Sequence, residues 1–187
     1  MTSLRPLVIL CIALAVPLRA NTQAQSASEY SIKAGYLLLF TRYVEWPAHV
    51  FATEGAPINI CVLGSDPFGS ILDRTLAGQH SQNRPLNVHR LTDTQHANDC
   101  HIAYISASDA DDQARWLAAL AGRPILTICE DGDALQNGSV LAFVDERERG
   151  RSRIRFDVSF PAMQAASLKI SSQMLVAARK VHRVPGA

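Results

Sequence analysis

Four cysteines are the residues of this chain best suited to covalent chemistry, and they lie at positions 11, 61, 100 and 129. Cys11 belongs to an apolar N-terminal segment typical of a secretory signal, so three cysteines remain for the folded part. Cys61 and Cys100 fall in the first and third predicted strands, which are neighbours in a doubly wound sheet. Neighbouring strands lie about 4.8 Å apart, within reach of a disulfide. We expect a Cys61–Cys100 bond and a free Cys129; three buried, unpaired thiols are the alternative.

No other pattern in the sequence matches a reactive centre. His89, His96, Cys100 and His101 are close in sequence, but their spacing is not that of a zinc site. We therefore expect surface histidines, no metal and no cofactor. The sequence has no Gly-x-Ser-x-Gly nucleophile elbow, and acids such as Asp131 are typical of a solvated turn. We expect no catalytic residue, and a protein that is not an enzyme.

Composition and the N-terminus limit the compartment and the partners. The formal net charge is +1 and no Lys/Arg-rich block occurs, which argues against a nucleic-acid partner. Arg5 precedes an apolar run over residues 6–18 that is short for a membrane span, and cleavage after Ala20 or Ala24 fits the small residues that follow. We predict a signal peptide over residues 1–24, one domain over residues 25–187, and a periplasmic location.

Short apolar runs alternate with helical patterns along the mature chain. The run Ile58–Leu63 suits a strand buried on both faces, and the pattern after Pro67 suits a helix that begins at this proline. The remaining predicted elements are a helix over 29–44, strands over 86–91, 100–106 and 124–129, a helix over 108–122, a hairpin over 140–158 and a helix over 171–181. This order predicts an α/β fold, with a mainly parallel, doubly wound (Rossmann-like) sheet, helices on both faces, and a C-terminal antiparallel hairpin plus helix at the sheet edge.

The aromatic residues at the end of the first predicted helix allow two interpretations. Phe40, Tyr43 and Trp46 follow at short intervals, and Pro47 stops the helix. Trp46 either packs in the core or anchors an interface, because Trp and Tyr dominate binding hot spots. The sequence alone leaves both open.

Several segments of the mature chain are each ordinary by themselves, but their order and spacing are specific. They are Ala34–Phe40, Glu45–Pro47, Ile60–Gly69, Arg84–Leu86, Cys100–Ser106, Arg123–Ile128, Val140–Phe156 and Leu168–Ser172. Together they resemble the YfiR/HmsC family of periplasmic regulators of membrane diguanylate cyclases, and the resemblance covers roughly residues 29–181.

The resemblance implies a protein, often dimeric, that acts by binding. It would restrain an inner-membrane diguanylate cyclase, or serve a sensor kinase, by contacting the periplasmic region of that protein. An outer-membrane lipoprotein would sequester it, so that cyclic-di-GMP output and biofilm formation rise. The resemblance also implies the Cys61–Cys100 disulfide, and we expect the partner surface to include Phe40, Trp46 and Met174.

A second class of function is a periplasmic small-solute binding protein. It would use the cleft at the carboxyl ends of the strands, beyond Gly64 and Asp131, where open α/β sheets bind ligands. A hydrolase is a third and weaker hypothesis, because no nucleophile–base pair can be argued.

Overall fold

Strand β2 (Ile58–Gly64) lies inside the sheet, between two parallel neighbours. The computed structural model describes residues 19–148 and 151–183. The other strands in these ranges are β1 (Val44–Glu45), β3 (His80–Ser81), β4 (Arg84–Leu91), β5 (Ile102–Ser106), β6 (Leu126–Cys129), β7 (Leu141–Glu148), β8 (Arg151–Ser159), β9 (Lys169–Ile170) and β10 (Lys180–His182). Within the described ranges, eight strands form one sheet in the order β10-β8-β7-β6-β5-β2-β4-β3, and β1 pairs with β9.

Helices cover both faces of this sheet. They are α1 (Arg19–Tyr43), α2 (Ser70–Leu76), α3 (Ala110–Leu120), α4 (Phe160–Ala165) and α5 (Ser172–Ala177). Alternate residues of β2 point to opposite faces, so Ile60 and Val62 join the core under α1, α2, α4 and α5, while Cys61 and Leu63 join the core under α3. The neighbours of β2, β5 and β6 are all parallel, whereas β8 runs antiparallel to β7. The predicted α/β fold class is confirmed.

Helix α1 supplies much of the larger core. Ala34, Leu37 and Phe40 are buried against the sheet, and the Phe40 ring contacts the rings of Phe143 and Phe156. In the part of the chain that the structure describes, no helix combines the length and hydropathy of a membrane span. The predicted signal peptide falls largely on residues 1–18, which lie outside the described residues.

Helix α2 begins at Ser70, and the prediction that Pro67 occupies its first position is wrong. The reason is a turn built by Asp66, whose carboxylate accepts the backbone N–H groups of Phe68 and Gly69 at 2.8 and 3.2 Å. Asp66 also binds the Arg90 Nε at 2.7 Å. The turn and this ion pair hold the segment out of the helix.

The C-terminal prediction is also corrected. The chain leaves the helix after Ala177 and forms β10, which pairs in parallel with β8, so the hairpin β7–β8 is not the edge of the sheet. The Arg179 backbone N–H donates to the Phe156 carbonyl oxygen at 2.8 Å. This contact and the pairing of the Arg179 side chain with the buried Asp157 draw the segment onto the sheet.

Asp157 is a buried carboxylate held by two side chains of the C-terminal segment. Its oxygens accept from Arg179 Nε and a terminal guanidinium nitrogen at 2.8 and 2.6 Å, and His182 Nε2 lies 3.1 Å from one of them. Burial opposes ionisation, but the hydrogen bonds and charges of Arg179 and His182 outweigh it and hold the pKa of Asp157 below its usual value. The pairing therefore fastens β10 to β8.

Replacing Asp157 by Asn should lower the free energy of unfolding by about 1–3 kcal/mol, because two charged hydrogen bonds are weakened at a buried site. The matched control is Glu148→Gln, which removes an exposed partner of Arg153 and should cost about 0.5 kcal/mol or less. Urea denaturation at pH 7 measures both. Equal midpoints for the two variants would contradict the assigned role of Asp157.

The same pairing sets a sign for the pH dependence. A carboxyl whose pKa is lowered by folding stabilises the native state at neutral pH, and this stability is lost as the pH falls. The unfolded carboxyl binds a proton near pH 4, before the folded one does. Denaturation at a series of pH values from neutral to about pH 2 gives the free energy of unfolding as a function of pH. This free energy should fall less steeply with decreasing pH for Asp157→Asn than for the unmodified chain.

Candidate functional site

The Cys61–Cys100 disulfide joins strand β2 to the segment that leads into its neighbour β5. Cys61 lies on β2 and Cys100 comes just before β5, where Ile60 pairs with Ile102. The Cα atoms of the two cysteines are 5.8 Å apart, and both residues are buried. The predicted bond is confirmed. Cys129 is free and buried, and burial raises its thiol pKa to about 12, which makes it a poor nucleophile.

His101 follows the disulfide directly and is buried, with 5 % of its surface exposed. The expectation of a surface position is wrong for this histidine. Its Nδ1 accepts the backbone N–H of Asn59 at 3.1 Å, and the Phe51 ring stacks on it with 4.5 Å between centroids. Burial, and after it the charge of Arg84, lowers the pKa of His101 to about 4, so the ring is neutral at pH 7.

Trp46 connects this histidine to the end of α1. The indole Nε1–H donates to the His101 carbonyl oxygen at 3.0 Å, and the Trp46 ring meets the imidazole edge-on. The same oxygen accepts the backbone N–H of Leu126 at 2.8 Å. A continuous set of contacts therefore runs from Cys100 through His101 to Trp46, which is 7 % exposed. Trp46, Phe51, Arg84, His101 and the disulfide are called the disulfide edge below.

The structure buries all three residues that the sequence suggested for partner binding. Phe40, Trp46 and Met174 belong to the larger core. In this conformation none of them presents its side chain to a partner, and their role in binding stays a prediction.

Among the described residues, three large apolar side chains are exposed instead, and sequence reasoning missed them. Ile32 and Leu39 on α1 are 47 % and 42 % exposed, and Val176 on α5 is 84 % exposed. The spacing of Ile32 and Leu39 puts them on one face of the helix, two turns apart. The sequence did contain a sign of this surface, because apolar residues lie all round α1 and one buried face accounts for only part of them.

A charge cluster around the buried Lys33 lies at the opposite ends of the strands. Lys33 on α1 contacts Glu29 at 2.5 Å and Glu130, just after β6, at 2.6 Å. The hydroxyls of Tyr30 and Tyr104 donate to the same Glu130 carboxylate. Burial, followed by the charge of Glu130, raises the pKa of both tyrosines, so both remain protonated donors. The cluster docks α1 on the sheet. The sequence sign of it was Lys33 itself, a lysine in an otherwise apolar helix and four residues after Glu29.

The residues of the proposed solute cleft have structural contacts. Gly64 has φ +90°, and a Cβ there would lie 2.3 Å from the Ser106 carbonyl oxygen, so the turn requires glycine. The Ser65 and Ser106 hydroxyls are 3.0 Å apart. Asp131 accepts the backbone N–H of Asp133 at 2.9 Å and so caps a short helical turn. These contacts give each residue a role in the fold.

Comparison with known proteins assigns this architecture to a family. The profile of the YfiR/HmsC-like family matches residues 30–179. The chain belongs to the YfiR/HmsC-like family. Members of this family are periplasmic regulators of diguanylate cyclase signalling rather than enzymes. The match includes the disulfide edge, α1 from Tyr30 onward and α5.

A solved structure is also similar to this YfiR/HmsC-like chain. It is the crystal structure of a conserved domain protein from Vibrio cholerae O1 biovar El Tor strain N16961, with a TM-score of 0.49 and 10 % sequence identity. The similarity covers 66 % of this chain and 54 % of the Vibrio chain, so the two share about half of the latter's length.

Reduction of the disulfide should lower the free energy of unfolding by about 4 kcal/mol, because it releases a loop between cysteines 39 positions apart. Urea denaturation with and without a thiol reductant measures this difference. The Cys61→Ala/Cys100→Ala double variant is the control, and its curves should not respond to reductant. Identical curves for the unmodified chain under both conditions would contradict the bond.

Burial of Trp46 predicts a stability loss on truncation. Trp46→Ala should cost about 3–5 kcal/mol, as for other buried aromatic residues. Trp46→Phe keeps most of the apolar volume and should cost less, since the His101 carbonyl oxygen retains the Leu126 N–H. Chemical denaturation of both variants tests this, and an unchanged midpoint for Trp46→Ala would show that the residue is not part of the core.

Proposed function

We propose that this protein is a periplasmic regulator that restrains a membrane-bound diguanylate cyclase by direct protein contact. Membership of the YfiR/HmsC-like family, over residues 30–179, is the observation that carries the proposal. The contacts of the described side chains agree with a binding role, because the polar groups at the strand ends are engaged in caps and ion pairs.

The exposed apolar residues of α1 and α5 are the proposed contact surface. Leu39 lies next to the buried Phe40, and Val176 follows the buried Met174 by two positions. Phe40 and Met174 would thus position the contact residues from beneath without touching the partner. A partner that covers these side chains removes their apolar surface from water, which favours binding.

Formation and reduction of the disulfide would control this surface through Trp46. Loss of the bond removes the constraint on Cys100 and therefore on the adjacent His101. The His101 carbonyl oxygen accepts the hydrogen bond of the Trp46 indole, so Trp46 would shift with it. Trp46 follows the end of α1 by three residues, so a shift of the disulfide edge reaches the helix that carries Ile32 and Leu39. The proposal is that the oxidised form binds the cyclase and the reduced form binds it weakly.

The family resemblance adds further partners as proposals. A sensor kinase could take the place of the cyclase, an outer-membrane lipoprotein would compete for the regulator, and a second copy of this chain would form a homodimer. The bound cyclase would produce less cyclic-di-GMP, and its release would favour biofilm formation.

Capture from native membranes tests the proposed function. The purified protein serves as bait for detergent-solubilised membranes of its own organism, in oxidised and reduced form, with mass spectrometry as the readout. We expect the oxidised bait to retain a diguanylate cyclase or sensor kinase, and Leu39→Glu to reduce capture about tenfold or more, as at a binding hot spot.

The matched control introduces the same charge on the opposite face of the sheet. Ala118 on α3 is exposed, so Ala118→Glu should leave capture unchanged. Cyclic-di-GMP synthesis by the same membranes gives a second readout, which the oxidised protein should lower. Failure of the oxidised bait to retain either class of membrane protein would overturn the proposal.

A further inference from the structure

A cavity of about 260 Å³ opens at the amino ends of β5 and β6, beside the disulfide edge. Its wall includes Cys100 and His101 from the segment before β5 and Arg123 from the segment before β6. Small-molecule sites in proteins start near this size, with apolar walls and a few convergent polar groups. The proposed function makes no use of this cavity.

His101 presents a hydrogen-bond donor to the cavity. Its Nδ1 accepts the Asn59 N–H, so in the neutral ring the proton resides on Nε2. Nε2 has no hydrogen-bond partner among the described residues, and no fully buried side-chain nitrogen or oxygen in them lacks one. Nε2 is therefore accessible, and since His101 is 95 % enclosed and lines the cavity, the cavity is where its N–H points.

Arg123 brings a positive charge that has no counterion. One terminal guanidinium nitrogen donates to the Asn98 side-chain oxygen at 2.9 Å, which also orients the Asn98 amide. In residues 19–148 and 151–183, no carboxylate lies within ion-pair distance of the Arg123 side chain. A guanidinium in this state can donate two parallel hydrogen bonds to a planar oxyanion.

The remaining wall restricts the ligand further. Val50, Pro124 and Ile125 provide apolar surface, and His49 lies at the same opening. Asp99 adds a carboxylate to the wall, which opposes negative charge in the cavity, so that Arg123 can compensate at most a single carboxylate. The chemistry thus favours one carboxylate attached to a small apolar body over a phosphate or a dicarboxylate.

We propose that this cavity is a binding site for a small monocarboxylate, with the carboxylate held by Arg123 and the His101 Nε2–H and the apolar body against Val50, Pro124 and Ile125. Since Cys100 forms part of the wall, a bound molecule contacts the segment that carries the disulfide. The inference stands independently of the proposed function, because it requires neither a cyclase nor a membrane.

NMR titration of the purified, oxidised protein with benzoate and with isovalerate tests the site. We expect saturable shifts of the His101 Nε2 resonance and of the backbone amides of residues 98–101, 123 and 125. Arg123→Gln should raise the Kd for benzoate about tenfold or more, because it removes the only cation assigned to the carboxylate. Phosphate and succinate should bind more weakly than benzoate.

Arg115→Gln is the matched control. Arg115 lies on α3, does not line the cavity, is exposed and pairs with Asp112, so the Kd should not change. Absence of saturable shifts with both carboxylates would overturn the proposal. So would equal affinities of the Arg123→Gln variant and the unmodified chain, or shifts confined to residues away from the cavity.

Discussion

The covalent link between β2 and the segment before β5 is the constraint on which the rest of the structure depends. Residues 62–99, enclosed by the bond, contain helix α2 and the strands β3 and β4, and these two strands form one edge of the sheet. The pairing of β2 with β5 therefore fixes where that side lies relative to β6, β7 and β8. The same link fixes the position of His101, and through its carbonyl oxygen the positions of Trp46 and Leu126.

Two ion pairs, each with one buried member, hold the two ends of the described chain on this frame. Lys33 and Glu130 dock α1 at the carboxyl ends of the strands, and Asp157 and Arg179 dock β10 at the edge. Removing the buried Lys33 and Asp157 from water is costly, and each recovers the cost through hydrogen bonds to two partners. Both clusters join segments that are far apart in sequence. They specify where the terminal elements lie more than they add to the stability of the core.

The general fold and the disulfide could be predicted because both follow from local patterns. The apolar run of β2 has the length and β-branched content of a buried strand. The strand order of a doubly wound sheet places Cys61 beside the strand that follows Cys100. Elements fixed by distant partners could not be predicted. The Asp66 turn depends on Arg90, and β10 depends on the buried Asp157, so helical patterns at both places gave the wrong boundaries.

The candidate site shows the same division. Trp46 had two interpretations in the sequence, and the acceptor that buries it, the His101 carbonyl oxygen, lies 55 residues away. His101 was expected at the surface because histidine is a polar residue, but Phe51 and Asn59 enclose it. The exposure of Ile32 and Leu39 could not be predicted, because α1 is apolar on all sides and only its contact with the sheet shows which face is buried.

Hydrogen exchange of the oxidised and reduced protein tests the central claim most directly, namely that the disulfide holds the edge to which Trp46 is attached. The reporting amides are those of Asn59, His101 and Leu126, which bond across this edge. The account predicts that reduction speeds their exchange more than that of the hairpin amides between Phe143 and Phe156. Equal acceleration at both places, or no change at the disulfide edge, would contradict it.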